Sequence, residues 1–232
     1  MDTVLFWDFD GTLSHPNKSF TSAFQLSLLE QNCALNDCEI AKFLDTFYSW
    51  KTPHIDYANQ TNELWWNIHF EKIRNFCSGK NIPASVIDTV FETFRKKLIA
   101  VSNYRLYDDT VATLEACIHM GFRNYLITNN YPEIIDNIEK LNIAHYFSDY
   151  IVSSHIGYEK PRKEFFEYAR KVAGNPSSAY VIGDNPVADI QGGQEAGFIT
   201  IAVHECKNSS ADYYCEHLEQ VLSILTQNRQ KA

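Results

Sequence analysis

The sequence predicts an α/β fold in which a parallel sheet is interrupted by an inserted all-helical domain. A short apolar strand opens the chain, and the residues from about Ser19 to Ala100 then show helical spacing and little that resembles a strand. From about residue 107 onward, strand and helix segments alternate, which is typical of a parallel α/β sheet. We therefore expect an α/β core domain at residues 1–16 and 104–232, with a helical cap domain inserted at residues 17–103.

The first strand, Val4 to Trp7, runs into two carboxylates, Asp8 and Asp10, and is bounded by Gly11. Because side chains alternate across a strand, both carboxylates should start on the same side, at the edge where open α/β sheets place their sites. Carboxylates so close repel unless a cation, a proton or hydrogen-bond donors compensate, and Mg²⁺ is the simplest compensation. On these ten residues alone, the alternative that both aspartates merely cap a turn stays open.

The inserted block is predicted to contain about four helices. Apolar residues at helical spacing begin at Phe24, continue to a helix stop at Ser78-Gly79, and resume after Pro83. The block joins the rest of the chain at two short connections, the arrangement of a lid able to hinge over a site.

The second half of the chain alternates between strands and helices. Pro132 favours a helix start, while Gly121 and Gly174 favour helix ends. Strands are predicted at 124–127, 150–152, 179–182 and, as the last strand, 198–203, and helices at about 109–120, 132–141, 162–173, 186–196 and 218–225.

Polar side chains follow three of these later strands. Thr128 is followed by Asn129 and Asn130, Glu159-Lys160-Pro161 comes just before a helix, and Asp184 is followed by Asp189. Taken singly, Thr128 could cap the next helix, Lys160 could be a solvated helix start, and the aspartates could be turn and cap residues. Together at one sheet edge they match the needs of phosphoryl chemistry: a carboxylate-bound metal, donors for the phosphoryl oxygens and a fixed positive charge.

Composition narrows the choice of partners and location. The net charge of −9 argues against nucleic acid, which is bound by surplus Lys and Arg. No stretch approaches the roughly 20 apolar residues that span a bilayer, and no basic, signal-like segment opens the chain. The six cysteines form no CxxC pair, which suggests neither a zinc site nor a disulfide framework. We expect a soluble, cytoplasmic monomer or weak dimer with no membrane partner.

Four motifs, DFDGT, LITNN, EKP and GDNPVAD, resemble in order those of the haloacid dehalogenase-like (HAD) hydrolases. The insertion after the first motif is similar to the small helical cap of subfamily I, and GYEKPRKEFFEYA at 157–169 resembles the branch of phosphoglycolate phosphatases and nucleotidases. The resemblance covers the whole α/β part and implies a Rossmann-like parallel sheet core.

The resemblance also implies roles for matching residues. Asp8 would be the nucleophile that forms an aspartyl-phosphate, and Asp10 the general acid and then the base. The family's dehalogenases lack this second aspartate, so Asp10 speaks for phosphoryl transfer. Ala188, where related enzymes often have Asn, and the lack of an aspartate shortly after the first motif weaken assignment to a named substrate.

The remaining motif residues would surround the phosphoryl group. Thr128 and the Asn129 backbone N–H would hold its oxygens, and Lys160 would offset its charge. Asp184 would complete a Mg²⁺ site with Asp8 and the Asp10 carbonyl. Asp189 would orient Lys160 or a metal-bound water.

Substrate selection is expected from the cap, although helix packing is the favoured explanation of its aromatic residues, and stacking of one Trp under a nucleobase is the minority hypothesis. His15 borders the cavity entrance, where an exposed hinge residue is the favoured interpretation. The conspicuous cap residues are Trp50, His54, Trp65, Trp66, His69 and Arg74.

The leading hypothesis is a Mg²⁺-dependent phosphatase acting on a small phosphorylated metabolite: a sugar phosphate, a phosphoglycolate-like compound or a nucleotide. A phosphomutase of the same family and a non-catalytic binding module stay open. A phosphonate-cleaving enzyme would need a Schiff-base lysine in the cap, for which the sequence offers Lys42, Lys51, Lys72 and Lys80 without marking any of them.

Overall fold

The computed structural model describes residues 3–52, 60–207 and 210–231, and within them six parallel strands form one sheet. The strand order is β3-β2-β1-β4-β5-β6, so the chain proceeds outward from β1 in one direction and then returns to its other side. This reversal between β1 and β4 opens a crevice at the carboxyl ends of the strands, where open α/β sheets bind ligands. The strands are β1 (Thr3–Trp7), β2 (Arg123–Thr128), β3 (Asp149–Val152), β4 (Ser178–Gly183), β5 (Ile199–Val203) and β6 (Tyr213–Cys215).

Both faces of the sheet are covered, as the apolar strands require. On one face, Val4 and Phe6 pack in a cluster with Phe165 and Phe166. On the other face, Leu5 and Trp7 belong to a larger cluster that extends into the inserted helices. The alternation of side chains along β1 therefore anchors the strand from both sides and holds its carboxyl end in place.

Ten α-helices are found in the described part of the chain, and the first four belong to the segment inserted after β1. Their bounds are α1 (Ser19–Glu30), α2 (Asp37–Leu44), α3 (Glu63–Ser78), α4 (Ala84–Leu98), α5 (Thr110–His119), α6 (Ile134–Lys140), α7 (Ser153–Ile156), α8 (Lys163–Val172), α9 (Gly192–Glu195) and α10 (Gln220–Lys231). α1 packs against α4, with the Phe24 and Phe94 rings in edge contact at 5.7 Å.

The two connections between the inserted helices and the sheet run side by side. The His15 backbone N–H donates to the Arg105 carbonyl at 2.9 Å, and the Ser14 hydroxyl donates to the same carbonyl at 3.2 Å. The Tyr107 N–H donates to the Leu13 carbonyl at 3.1 Å. The helical segment therefore enters and leaves the sheet at one place, next to the residues that follow β1.

The predicted α/β class, the order of its elements and the helical insertion are confirmed, whereas the division into two domains at residues 16–17 and 103–104 stays a prediction. The prediction that 198–203 is the last strand is wrong, because Tyr213–Cys215 pairs in parallel with β5 as a further strand. Three residues are too few for a period-2 pattern to emerge from the sequence. The predicted helix at 186–196 consists of a π-helical turn, Pro186–Gln191, followed by α9.

Within the described residues, none of the helices combines the length and the apolar character needed to cross a bilayer.

Candidate active site

The chain turns sharply just beyond β1. The Asp8 N–H donates to the Ile182 carbonyl at 2.9 Å, so the backbone stays beside β4 for one more residue. Gly11 then adopts a φ of 89°, and a Cβ at this position would clash with the carboxylate of Asp184. Glycine is required here both for the left-handed backbone and for the approach of the Asp184 carboxylate.

Lys160 joins two of the predicted aspartates. Its Nζ lies 2.6 Å from Oδ1 of Asp8 and 2.6 Å from Oδ1 of Asp189, and the lysine is only 2% exposed. Burial lowers the pKa of Lys160, but Asp189 and Asp8 more than offset this, so the net pKa lies above the usual value. The alternative that Lys160 is a solvated helix start is therefore wrong.

The backbone around Lys160 is fixed by Asn129. The Asn129 side chain donates to the Lys160 carbonyl at 2.8 Å and accepts from the Lys160 N–H at 2.8 Å. On the opposite side, Asp189 accepts the Asn185 N–H at 3.0 Å on its second oxygen. Asn185, and neither Asp184 nor Asp189, caps the following turn by accepting from the Val187 N–H at 3.0 Å. The ammonium is thus positioned by residues from three strand ends.

Asp8 and Asp184 face each other across Thr12, which follows Asp8 in the turn. The Thr12 hydroxyl lies 3.3 Å from Oδ2 of Asp8 and 3.2 Å from Oδ1 of Asp184. Burial raises the pKa of Asp8 to about 6, with Lys160 acting against the rise. Burial and the charges of Asp8 and Asp189 raise the pKa of Asp184 to about 8.

These carboxylates suit a divalent cation. One oxygen each of Asp8, Asp184 and Asp189 lies within 4.8 Å of the other two. Oxygen-only donors of this kind match the preference of Mg²⁺. Asp189 accepts hydrogen bonds on both of its oxygens, from Lys160 and from the Asn185 N–H, whereas Asp184 accepts one from Thr12.

Asp10 occupies a different environment from Asp8. Its Oδ2 accepts a hydrogen bond of 2.6 Å from Nδ2 of Asn130, which also lies 3.3 Å from Oγ1 of Thr128. Its Oδ1 is buried and has no hydrogen-bond partner among the described residues. Burial and the charge of Asp8 raise the pKa of Asp10 to about 7, in the range suited to a group that gives and takes a proton near neutrality.

All seven predicted site residues line one cavity of about 330 Å³, which we call the acidic cavity. Thr128 ends β2 and α6 begins six residues later, so the alternative that it caps that helix is wrong. The roles assigned to the seven residues remain predictions. They are Asp8, Asp10, Thr128, Asn129, Lys160, Asp184 and Asp189.

A second, smaller cavity of about 160 Å³, which we call the aromatic cavity, adjoins the first. Its walls include Phe20, Phe47, Trp65, Tyr104 and Tyr131, most of them from the inserted segment. The two cavities share Asp10, Asn17, Tyr48, Trp50 and Asn129.

Only some of the conspicuous cap residues line a cavity. Trp50 lines both cavities, while Trp65 and His69 line the aromatic one. Trp66 is 1% exposed and donates to Oε2 of Glu133 at 3.1 Å, so it packs as the favoured interpretation holds. Arg74 is exposed and pairs with Glu71 at 3.0 Å, away from both cavities. His54 lies outside the described residues.

His15 lines neither the acidic nor the aromatic cavity, but it lines a further cavity of about 770 Å³ together with Gly11 and Asp184. Its ring packs on Tyr107 with centroids 4.0 Å apart, and its Nε2 is 2.9 Å from an Arg105 nitrogen. His15 is a polar residue at the hinge, as expected, but it is half-buried and not exposed.

Sequence reasoning did not assign functions to Thr12, Asn130 and Glu159, which all lie at these cavities or contact their carboxylates. Each is the immediate neighbour of a motif residue or lies within the motif itself. The roles of Thr12 and Asn130 as hydrogen-bond donors could have been predicted from the sequence, because each places a hydroxyl or an amide beside crowded carboxylates. Glu159 opens the EKP motif, but the motif gave it no role.

The chain belongs to the haloacid dehalogenase-like hydrolase family, which it matches over residues 3–197. It is therefore a hydrolase, and the resemblance drawn from the four motifs is confirmed.

Its relatives include proteins that act on phosphate esters. It is 33% identical over 103 residues to the glyceraldehyde 3-phosphate phosphatase of Methanopyrus kandleri, an alignment that covers 44% of each chain. The enzyme of the same name from Methanocaldococcus jannaschii is 28% identical over 165 residues, which cover 68% of this chain and 71% of that protein.

Among solved structures, the HAD-hydrolase YfnB from Bacillus subtilis, described as bound to magnesium, has the same fold with a TM-score of 0.75. The two chains are 21% identical, and the match covers 97% of this chain and 98% of the YfnB chain. Family membership and the relatives' names support a phosphatase function at the level of the family.

Proposed function

We propose that this protein is a Mg²⁺-dependent phosphatase that hydrolyses a small phosphomonoester through an aspartyl-phosphate on Asp8. The observation that carries the proposal is the placement of Asp10. Asp10 lines both cavities and lies two residues from Asp8, which lines the acidic cavity. Its pKa is raised to about 7. A carboxyl in this position can protonate the oxygen that leaves phosphorus.

In the first step, a carboxylate oxygen of Asp8 attacks phosphorus, and the bond between phosphorus and the leaving oxygen breaks. Asp10 transfers its proton to that oxygen, so the product leaves as a neutral alcohol. Lys160, held 2.6 Å from Asp8, orients the nucleophile and offsets the charge of the phosphoryl group.

In the second step, Asp10 takes a proton from a water molecule as that water attacks phosphorus. The bond between phosphorus and Asp8 breaks, and inorganic phosphate and the Asp8 carboxylate are released. The Asn130 amide, 2.6 Å from Oδ2 of Asp10, favours the charged form of this carboxyl and fixes its direction. Asp10 therefore ends the cycle protonated, as it began.

Asp8, Asp184 and the Asp10 carbonyl would hold Mg²⁺. Bound there, the ion would neutralise the crowded carboxylates and the phosphoryl oxygens. Asp189 already accepts the Lys160 ammonium, so its proposed role is to position that lysine. The names of the relatives support a small phosphorylated metabolite as the substrate.

The first experiment measures phosphate release from a panel of phosphomonoesters with and without Mg²⁺. We expect Mg²⁺-dependent release that Asp8→Asn lowers by more than about 10⁴-fold, because the nucleophile is lost. Asp88→Asn, the same change at an exposed position on α4, should retain activity. Isomerised sugar phosphate without phosphate release would favour the phosphomutase, and no turnover together with no Mg²⁺ binding would favour the binding module.

A second experiment isolates the proton given by Asp10. Asp10→Asn should lower kcat/KM for an alkyl phosphate by about 10²–10⁴-fold. The loss should be much smaller for p-nitrophenyl phosphate, whose leaving group departs without a proton. Equal losses on both substrates would contradict the assignment of Asp10 as the general acid.

A further inference from the structure

The aromatic cavity lies where a leaving group must sit, an inference that rests on the proposed function. Because Asp10 lines both cavities, a phosphoryl group beside Asp8 and Lys160 directs its leaving oxygen past Asp10 into the aromatic cavity. The aromatic cavity, at about 160 Å³, has less than half the volume of the acidic cavity. A short polyol chain fits this volume.

One buried carboxylate of this cavity takes no part in the proposed chemistry. Glu159 lines the aromatic cavity and is 9% exposed, whereas its neighbour Lys160 lines the acidic cavity. Burial raises the pKa of Glu159 to about 7, and Ser49, Lys72 and Trp65 act against that rise. The chain therefore places consecutive residues of opposite charge at the two cavities.

Other polar atoms in the same cavity lack partners. Oδ1 of Asp10 and Oγ of Ser19 are buried and have no hydrogen-bond partner among the described residues. Nε1 of Trp65 also lacks a partner of good geometry there, although the indole is close enough to Glu159 to act on its pKa. Buried polar groups are normally hydrogen-bonded, so this concentration points to a ligand that supplies hydroxyl groups.

The cavity offers no cation to an acidic ligand. Among its described lining residues there is no lysine and no arginine. His69 is neutral, since burial lowers its pKa to about 3, and its Nδ1 lies 2.7 Å from the Trp65 carbonyl. Lys72, whose charge acts on Glu159, does not line the cavity. A carboxylate on the leaving group would therefore be buried without a counter-ion and would face Glu159.

We propose that Glu159 is a specificity-determining residue whose carboxylate accepts a hydrogen bond from a hydroxyl of the leaving group and repels leaving groups that carry a carboxylate. The substrate class that follows is the monophosphate of a short, uncharged, hydroxyl-bearing chain. Among the substrate classes that the sequence suggests, this selects a small sugar phosphate over a phosphoglycolate-like acid.

The test compares glycerol 3-phosphate with 3-phosphoglycerate, which have carbon chains of equal length. Glycerol 3-phosphate ends in a hydroxymethyl group, and 3-phosphoglycerate ends in a carboxylate. At about pH 8.5, where Glu159 is charged, we expect kcat/KM for glycerol 3-phosphate to be at least about tenfold higher. Glu159→Gln keeps the shape, removes the charge and should abolish most of this preference. Glu167→Gln, the same change at an exposed position on α8, should preserve it.

An unchanged ratio in Glu159→Gln, or a native preference for 3-phosphoglycerate, would overturn the inference. If no ester of the wider panel is hydrolysed, the proposed function fails. If neither of these two esters is hydrolysed, equilibrium binding decides the inference separately. Both esters are then titrated into Mg²⁺-loaded Asp8→Asn protein with and without Glu159→Gln. Weaker binding of 3-phosphoglycerate that the second substitution removes supports the role of Glu159, and equal binding in both proteins contradicts it.

Discussion

The two adjoining cavities differ in whether their buried polar groups already have partners within the protein. In the acidic cavity, Lys160 pairs at 2.6 Å with both Asp8 and Asp189, and Asn129 holds its backbone from the other side. In the aromatic cavity, polar atoms of Asp10, Ser19 and Trp65 are buried without a partner of good geometry among the described residues. The first cavity is organised before a ligand arrives, and the second is not.

The difference follows from what each cavity would do. Catalytic groups act most strongly when their geometry is fixed in advance, which the short contacts around Lys160 provide. Recognition of a leaving group instead requires donors and acceptors that remain available to the ligand. Asp10 belongs to both: Asn130 fixes one of its oxygens, and the other is left for the ligand.

The largest effect is expected from removing the charge that organises the acidic cavity. Lys160→Met leaves Asp8 and Asp189 buried without a counter-ion. We expect it to lower the free energy of unfolding by about 3–5 kcal/mol and phosphate release by at least about a hundredfold. Urea unfolding and a phosphate assay on the same preparation measure both.

Lys163→Met provides the matched control for Lys160→Met. Lys163 is exposed and pairs with Glu167 at 3.0 Å on the surface of α8. Its loss should change stability by less than about 1 kcal/mol. Equal destabilisation by the two substitutions would show that the acidic cavity does not depend on its buried charge.

A smaller effect is expected from pH and Mg²⁺ acting on the same cavity. The pKa values of Asp8, Asp10 and Asp184 are raised to about 6, 7 and 8, so the folded state retains protons that the unfolded chain has released. Stability of the metal-free protein should therefore fall as the pH rises from about 4 to 8.

Mg²⁺ should reverse that loss, because it binds the charged carboxylates. We expect the Mg²⁺-induced rise in Tm to be larger at about pH 8 than at about pH 5. Asp184→Asn should flatten the pH dependence and remove most of the Mg²⁺ effect. A metal-free protein that gains stability over this pH range would contradict the raised pKa values.

The contrast between the cavities also explains how far the sequence could be interpreted. The acidic cavity is assembled from strand ends, and a strand followed by polar residues is a local pattern. Asp8, Thr128 and Asp184 could therefore be placed at one edge once the parallel sheet was predicted. That Lys160 is buried, and that it joins Asp8 to Asp189, depends on three separated segments meeting and was available only from the resemblance to the family.

The aromatic cavity could not be predicted in the same way. Its walls come from dispersed positions such as Phe20, Trp65 and Tyr104, whose spacing equally fits helix packing. Trp65 and Trp66 illustrate this ambiguity. The two residues are adjacent in the sequence, yet only Trp65 lines the cavity. Trp66 is buried, donates a hydrogen bond to Glu133 and has the Arg95 guanidinium over its ring.

The smallest expected effect separates these two tryptophans. Both substitutions to phenylalanine remove an indole N–H and a similar volume. Trp66→Phe loses the hydrogen bond to Glu133 and should lower the free energy of unfolding by about 1 kcal/mol without changing KM. Trp65→Phe removes an N–H that has no partner of good geometry among the described residues, so it should raise KM about two- to tenfold at a smaller loss of stability. If KM rises only in Trp66→Phe, then the aromatic cavity does not receive the leaving group.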